Sequence, residues 1–232
     1  MSYEPGLFYA FAKHSTTDWA WRYLIVFVNA ATADEWWRAV TGSVAGGYTR
    51  FAGVQRVSPQ FYVHNPDVNG GNIMQTINDA RCASQFLGRV FFTLLNDRDG
   101  RVLSDAPRIN YANHISGNGF FIRSLLQRDQ YWFFNGERIV VSRDNRTKFV
   151  ISMIKLSQNE VQGSVMIGTD PVRISVFQSG SFLNIQPDGS LAPGGGVGRQ
   201  IMFSEFDGGF QIGRNNNLVG NQEGGGDRWE LV

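Results

Sequence analysis

Asn184, Gln186, Asp188 and Ser190 alternate through "FLNIQPDGSLAP", residues 182 to 193, with apolar neighbours between them. Asn, Gln and Asp each offer two hydrogen-bonding positions in one plane, which suits the paired hydroxyls of a sugar. The apolar face of a sugar ring packs on an aromatic side chain such as Phe182. A second group has the same chemistry: Asn215, Asn216, Asn217, Asn221 and Gln222. Asn135, Asp144 and Asn145 form a sparser third group. All of this is reversible hydrogen bonding, with no bond made or broken. The competing reading is turn formation, because Asp-Gly and Asn-Gly are the preferred residues of tight hairpins without any ligand.

Residues suited to harder chemistry are few. His14, His64 and His114 are far apart in sequence, and a metal site with Asp67 or Asp105 would need the fold to gather them. "NDRDG" at 96 to 100 has the opening of a calcium loop but lacks the later ligands and the closing Glu. Cys82 could pair with His64 or His114 as a thiol nucleophile, yet no local signature accompanies it. The clusters "GGGVG" and "EGGGD" lie between expected strands and open no helix, so neither reads as a phosphate loop. These observations predict a protein that is not an enzyme and needs no cofactor or metal.

Aromatic density gives an alternative. Trp19, Trp21, Trp36, Trp37 and Trp132 could line a pocket between two halves of the chain and hold a flat hydrophobic molecule, even a pigment, as in a chromoprotein. A carrier of that kind needs no catalytic group either.

The elements that must position these residues differ between the halves. In the first, "RYLIVFVNA" reads as a buried strand. "TADEWWRAVTG" reads as a helix, with Thr32 and Glu35 at capping-box spacing, Trp36, Trp37 and Val40 on the apolar face and Gly42 at the end. "GVQRVSPQFYVHNPDVNGG" reads as one kinked strand or two short ones around Pro59. A further helix is expected over roughly 76 to 87, while 89 to 104 fits a helix or a hairpin. Residues 1–115 are therefore expected to form a small α/β part of unknown role, in an α+β protein overall.

From Gly119 onward, short apolar strands and polar turns alternate. "YWFFNGERIVVSRDNRTKFVI", "FLNIQPDGSLAPGGGVGRQIMF" and "FQIGRNNNLVGNQEGGGDRWEL" share one plan: strand, tight turn, short strand, polar loop, strand with a large aromatic. The interval from turn to closing aromatic is nearly constant, from Gly136 to Phe149, Gly189 to Phe203 and Asn216 to Trp229. One such unit cannot bury its own apolar face, whereas three around an axis can. Phe149 and Phe203 are about twice as far apart as Phe203 and Trp229, and "NEVQGSVMIGTD" is left over as an insertion or extra strand.

This pattern, roughly residues 118 to 232, resembles the β-trefoil lectins of the ricin-B type, a family common in fungi. "DRWELV" is similar to the family's closing Gln-x-Trp strand, with Asp227 in place of the glutamine and tryptophan kept only at Trp229. The resemblance implies an all-β, β-trefoil-like part over residues 116–232, with "FLNIQPDG" where such lectins begin a sugar pocket. Protease-inhibitor trefoils would leave a similar trace, presenting a loop such as 188 to 199.

Bulk properties narrow the classes. The chain has 232 residues, 27 of them glycine, with 42% hydrophobic and 18% charged residues and a net charge of +1. With no basic stretch, no nucleic-acid partner is expected. A single cysteine rules out a disulfide within the chain. The longest apolar run, "YLIVFV", is too short to span a bilayer, and no signal peptide is evident, so a cytoplasmic location is expected. The expected partners are glycans or a small hydrophobic ligand, with homodimerisation as a means of strengthening weak sites.

Overall fold

The computed structural model describes residues 6–17, 19–79, 82–95, 111–155, 160–221 and 224–232, the backbone alone at 160 and 161. The molecule is mostly β, with one α-helix among the described residues, and its contacts divide it into two units that meet in sequence at Asn113 and His114. The "NDRDG" stretch, Asp105, Gln222 and most of the ambiguous 89–104 segment lie outside the described residues.

The first unit is built on five strands: β1 (Phe8–His14), β2 (Tyr23–Phe27), then, after α1 (Ala30–Gly42) and the short hairpin β3 (Val44–Ala45) and β4 (Tyr48–Thr49), β5 (Val54–Ser58), β6 (Phe61–His64) and β7 (Val90–Leu94). The sheet order is β5-β6-β1-β2-β7, and only the β1–β6 pair is parallel. Alternate residues of β1 and β2 are buried, and Phe8, Ala10, Ile25, Phe27 and Tyr62 form one core with Trp36 and Val40 of α1. This is the period-two strand and 3.6-residue helix pattern meeting across one layer.

Two sequence expectations change here. The helix starts at Ala30 rather than at a Thr32–Glu35 capping box. Asn29 is the N-cap, accepting from Thr32 N at 2.8 Å and Thr32 Oγ1 at 3.0 Å. Asn caps at least as well as Thr, and taking that position leaves Thr32 inside the first turn as a donor. Glu35 is then free to pair with Arg89 at 2.6 Å. The second expected helix, 76 to 87, is not an α-helix: 3-10 turns occupy Ile73–Ile77 and Ala83–Gln85. Ile73, Thr76, Asp79 and Cys82 are buried at every third position, which is the 3-10 period. Val90–Leu94, from the open segment, pairs as a strand with β2.

The second unit is a sequence of short antiparallel strands: β8 (Gly119–Ser124), β9 (Tyr131–Phe134), β10 (Ile139–Ser142), β11 (Lys148–Ile154), β12 (Glu160–Val161), β13 (Pro171–Val176), β14 (Phe182–Ile185), β15 (Leu191–Gly194), β16 (Ile201–Met202), β17 (Asp207–Ile212), β18 (Leu218–Gly220) and β19 (Asp227–Leu231). Six of them pair in the order β16-β13-β11-β8-β19-β17. This near-barrel is open between β16 and β17, where a 3-10 turn at Phe203–Phe206 intervenes. The leftover segment becomes β12, which extends the β11 ladder, and a bridge between Ile115 and Val165.

Three hairpins adjoin this near-barrel: β9–β10, β14–β15 and β17–β18, with β17 belonging to both. They meet through bridges between Val140 and Asn217 and between Ser190 and Val219, and Gly220 N donates to Gly189 O at 3.1 Å. The core beneath is aromatic. Trp132 is fully buried, with ring centroids at 5.0 Å from Phe210, 5.7 Å from Trp229 and 6.0 Å from Phe149. Phe149, Phe203 and Trp229, the three closing aromatics, are all buried.

Candidate functional site

The β14–β15 hairpin presents the polar residues singled out in the sequence. Strand alternation buries Leu183 and turns Asn184 outward. Gly189 N donates to Gln186 O at 2.9 Å and Gln186 N to Ser190 O at 2.8 Å, which closes the turn. Gly189 has φ +83°, a backbone conformation that a side chain would strain.

Asp188 is committed to that turn. Its Oδ1 accepts from Ser190 Oγ at 2.6 Å and Ser190 N at 3.0 Å. These bonds, chiefly the hydroxyl, hold the carboxyl below the ordinary aspartate range. Its Oδ2 faces Arg138 Nη1 at 3.5 Å, so it also links this hairpin to the start of β10.

Asn184 is different. It is part-exposed and lies against Gly194, where an added Cβ would stand 3.1 Å from its Nδ2. It borders a shallow, half-open cleft. Ile174, Leu183, Ile201 and Phe210 make the floor. Arg199 stands at the same cleft. Its backbone N is anchored to Leu183 O at 3.0 Å. Its Nε is buried without a hydrogen-bond partner among the described residues. No spacing or motif singles out Arg199 in the sequence; a lone arginine after the Gly-rich loop gives no signal until the loop folds back on β14.

The third group is brought to the hairpin junction rather than to a pocket. Asn215 and Asn216 have φ +56° and +58°, making the tight turn, and Asn217 carries the bridge to Val140. Asn221 Nδ2 donates to Gly224 O at 3.1 Å, tying its own loop. Asn135 Oδ1 accepts from Glu137 N and Arg138 N, both at 3.0 Å, which is likewise turn chemistry.

The tryptophans of the carrier reading scatter. Trp36 packs on Tyr62, Phe27 and Phe92 inside the first unit, with Trp37 half-buried beside Tyr62. Trp132 is the centre of the other core, while Trp19 and Trp21 are exposed at 71% and 45%.

All three histidines are buried. His14 and His64 face each other on the parallel β1–β6 pair, with ring centroids 6.5 Å apart, while His114 packs on Phe203 in the second unit. Thr16 N donates to His14 Nδ1 at 3.0 Å, so the His14 proton sits on Nε2 and faces Asp67 at 3.1 Å. Ile73 N donates to His64 Nδ1 at 3.3 Å, and His64 Nε2 donates to Trp21 O at 2.8 Å. Both rings are thus committed at both nitrogens, and among the described residues no group of three potential ligands could hold a metal. Cys82 is fully buried, its Sγ donating to Ala39 O at 3.4 Å, and burial pushes its thiol pKa up.

Among the described residues no helix is long and apolar enough to cross a membrane. No protein-family model matches the chain, and no curated protein matches it.

Proposed function

We propose that this chain is a non-enzymatic, carbohydrate-binding protein on a β-trefoil scaffold, and that its sugar site is the β14–β15 cleft. The scaffold reading is supported by two strand-hairpin-strand passes, β8–β11 and β13–β16, a shorter third in which β17 serves as both ring strand and hairpin arm, hairpins that bridge one another at one end, and the buried Phe149, Phe203 and Trp229. The site reading is carried by one observation: the buried Arg199 Nε, without a hydrogen-bond partner among the described residues, stands with Asn184 at an apolar-floored cleft. Unpaired polar groups beside an apolar surface are what a sugar, with hydroxyls on its edge and C–H groups on its face, satisfies. Gln186 and Asp188 belong to the turn beside it. A cytoplasmic location belongs to the same reading, supported by Cys82 as a buried free thiol.

The test is a glycan array followed by titration of the best neutral sugar. Asn184→Ala is expected to weaken that sugar at least tenfold with an unchanged melting temperature. Full binding by Asn184→Ala, or an array with no neutral sugar bound, overturns the assignment.

A further inference from the structure

On the outer wall of the second unit, cations and rings alternate across four neighbouring strands. The guanidinium of Arg146 lies 4.3 Å from the centroid of Phe121 and 5.6 Å from that of Tyr131, and the ammonium of Lys148 lies 5.1 Å from the centroid of Phe177. Register explains the order. Tyr131 of β9 is paired with Arg123 of β8, Phe121 of β8 with Lys148 of β11, and Phe177 N donates to Lys148 O at 3.0 Å. With strands about 4.8 Å apart, the row is roughly 14 Å long.

The row has a built gap. A Cβ on Gly119 would come within 2.7 Å of Lys148 Cε and 3.2 Å of Phe177 Cδ2, so the absence of a side chain at the start of β8 lets both lie across it. Arg146 and Lys148 are exposed. Neither has a carboxylate partner among the described residues. Glu230 of β19, next to β8, is taken by Arg123 at 2.7 Å. Phe177 is 55% exposed.

We infer that this row, Tyr131–Arg146–Phe121–Lys148–Phe177, binds an anionic polysaccharide, its sulfate or carboxylate groups on the two cations and its sugar faces on the rings. A ring that shares a cation holds it in place without neutralising it, so the positive charge stays available to a ligand. Flat rings between the cations favour an alternation of charge and apolar surface along the partner. The site does not use the β14–β15 cleft and stands independently of it.

The probes are a heparin octasaccharide, a polygalacturonate oligomer and a single-stranded DNA of equal charge, titrated with the full chain at physiological salt. Binding of at least one of the two sugars is expected, tighter than the DNA. Arg146→Gln with Lys148→Gln is expected to weaken it about tenfold or more. Phe177→Ser, which leaves the charge unchanged, is expected to weaken it severalfold. The melting temperature of each variant confirms folding, and Arg146→Lys serves as a conservative second variant if the double one fails to fold. Sulfated against carboxylated sugar identifies the anion. Binding of neither sugar, tighter binding of DNA, or indifference to Phe177→Ser overturns the proposal.

Discussion

Arg56 Nη2 lies 2.6 Å from Asp34 Oδ1, an ion pair whose side chains are 3% and 1% exposed. It joins β5 to α1 inside the first unit. The other carboxylate oxygen accepts from the Tyr111 hydroxyl at 2.7 Å. Arg56 Nε and Nη1 have no further partner among the described residues, so Asp34 alone neutralises this guanidinium. A buried pair of this kind contributes little when both members are present, yet removing one leaves an uncompensated charge. Asp34→Asn is therefore expected to cost about 3–5 kcal/mol. The double change Asp34→Leu with Arg56→Met is expected to cost much less. Urea unfolding of the three proteins checks this, and a single variant no worse than the double would remove the pair from the core.

Trp229 tests the repeat. It packs edge-on against Trp132, with centroids 5.7 Å apart, and it lies on β19, which pairs with β8. Trp229→Ala is expected to destabilise by about 3–5 kcal/mol through lost contacts and a residual cavity. A measured loss below about 1 kcal/mol would contradict its place beside Phe149 and Phe203 as an equivalent closing residue.

His64 predicts a pH dependence. Burial, above all, holds its pKa below the ordinary histidine value of 6.5. The folded chain therefore prefers the neutral ring more than the unfolded chain does. That contribution is present in full above 6.5 and is lost as pH falls below it, since the unfolded state then takes up the proton first. Protonation also removes the acceptor that Nδ1 offers to Ile73 N. The urea midpoint is expected to fall between pH 7.5 and 5.5, and His64→Gln is expected to flatten that slope. An equal slope in both proteins would assign the dependence elsewhere.

Cys82 is expected to resist thiol reagents in the native protein. It is fully buried, and burial raises its pKa, so little thiolate is present and less is reachable. Reaction with a chromogenic disulfide at pH 8 is expected only on adding denaturant. Rapid labelling of the folded protein would show that the 3-10 segment around it opens readily.

What was legible in the sequence was periodicity. The strand of "YLIVFV", the apolar side of α1 at Trp36 and Val40, and the hairpins of the second unit all follow from residue patterns that repeat at two or 3.6 positions. The segment from Ile73 to Cys82 misled because a three-residue period differs from a helical one by little over so short a span. The site was legible only in part. Asn184 and Asp188 have the same chemistry on paper, but strand alternation aims one at the cleft and turn geometry folds the other back on Ser190. Arg199 was invisible because its role depends on a long-range contact, the backbone bond to Leu183 O. The cation–ring row was likewise hidden, since Phe121, Lys148 and Phe177 become neighbours only through strand register.

The pairing of β19 with β8, in which Trp229 stands opposite Ser124 and Leu231 opposite Ile122, has a kinetic meaning. The first strand of the second unit waits for the last. During synthesis, β8 can join β11 early, but its other edge stays bare until residues near Leu231 have left the ribosome. A nascent chain stopped short of that point presents an unpaired strand edge with open hydrogen-bonding groups, a template for sticking to other chains. Joining partners so distant in sequence also makes this pairing slow compared with helix or hairpin formation. Deleting residues 228–232 should therefore harm yield and solubility more than an equal loss from any single hairpin tip.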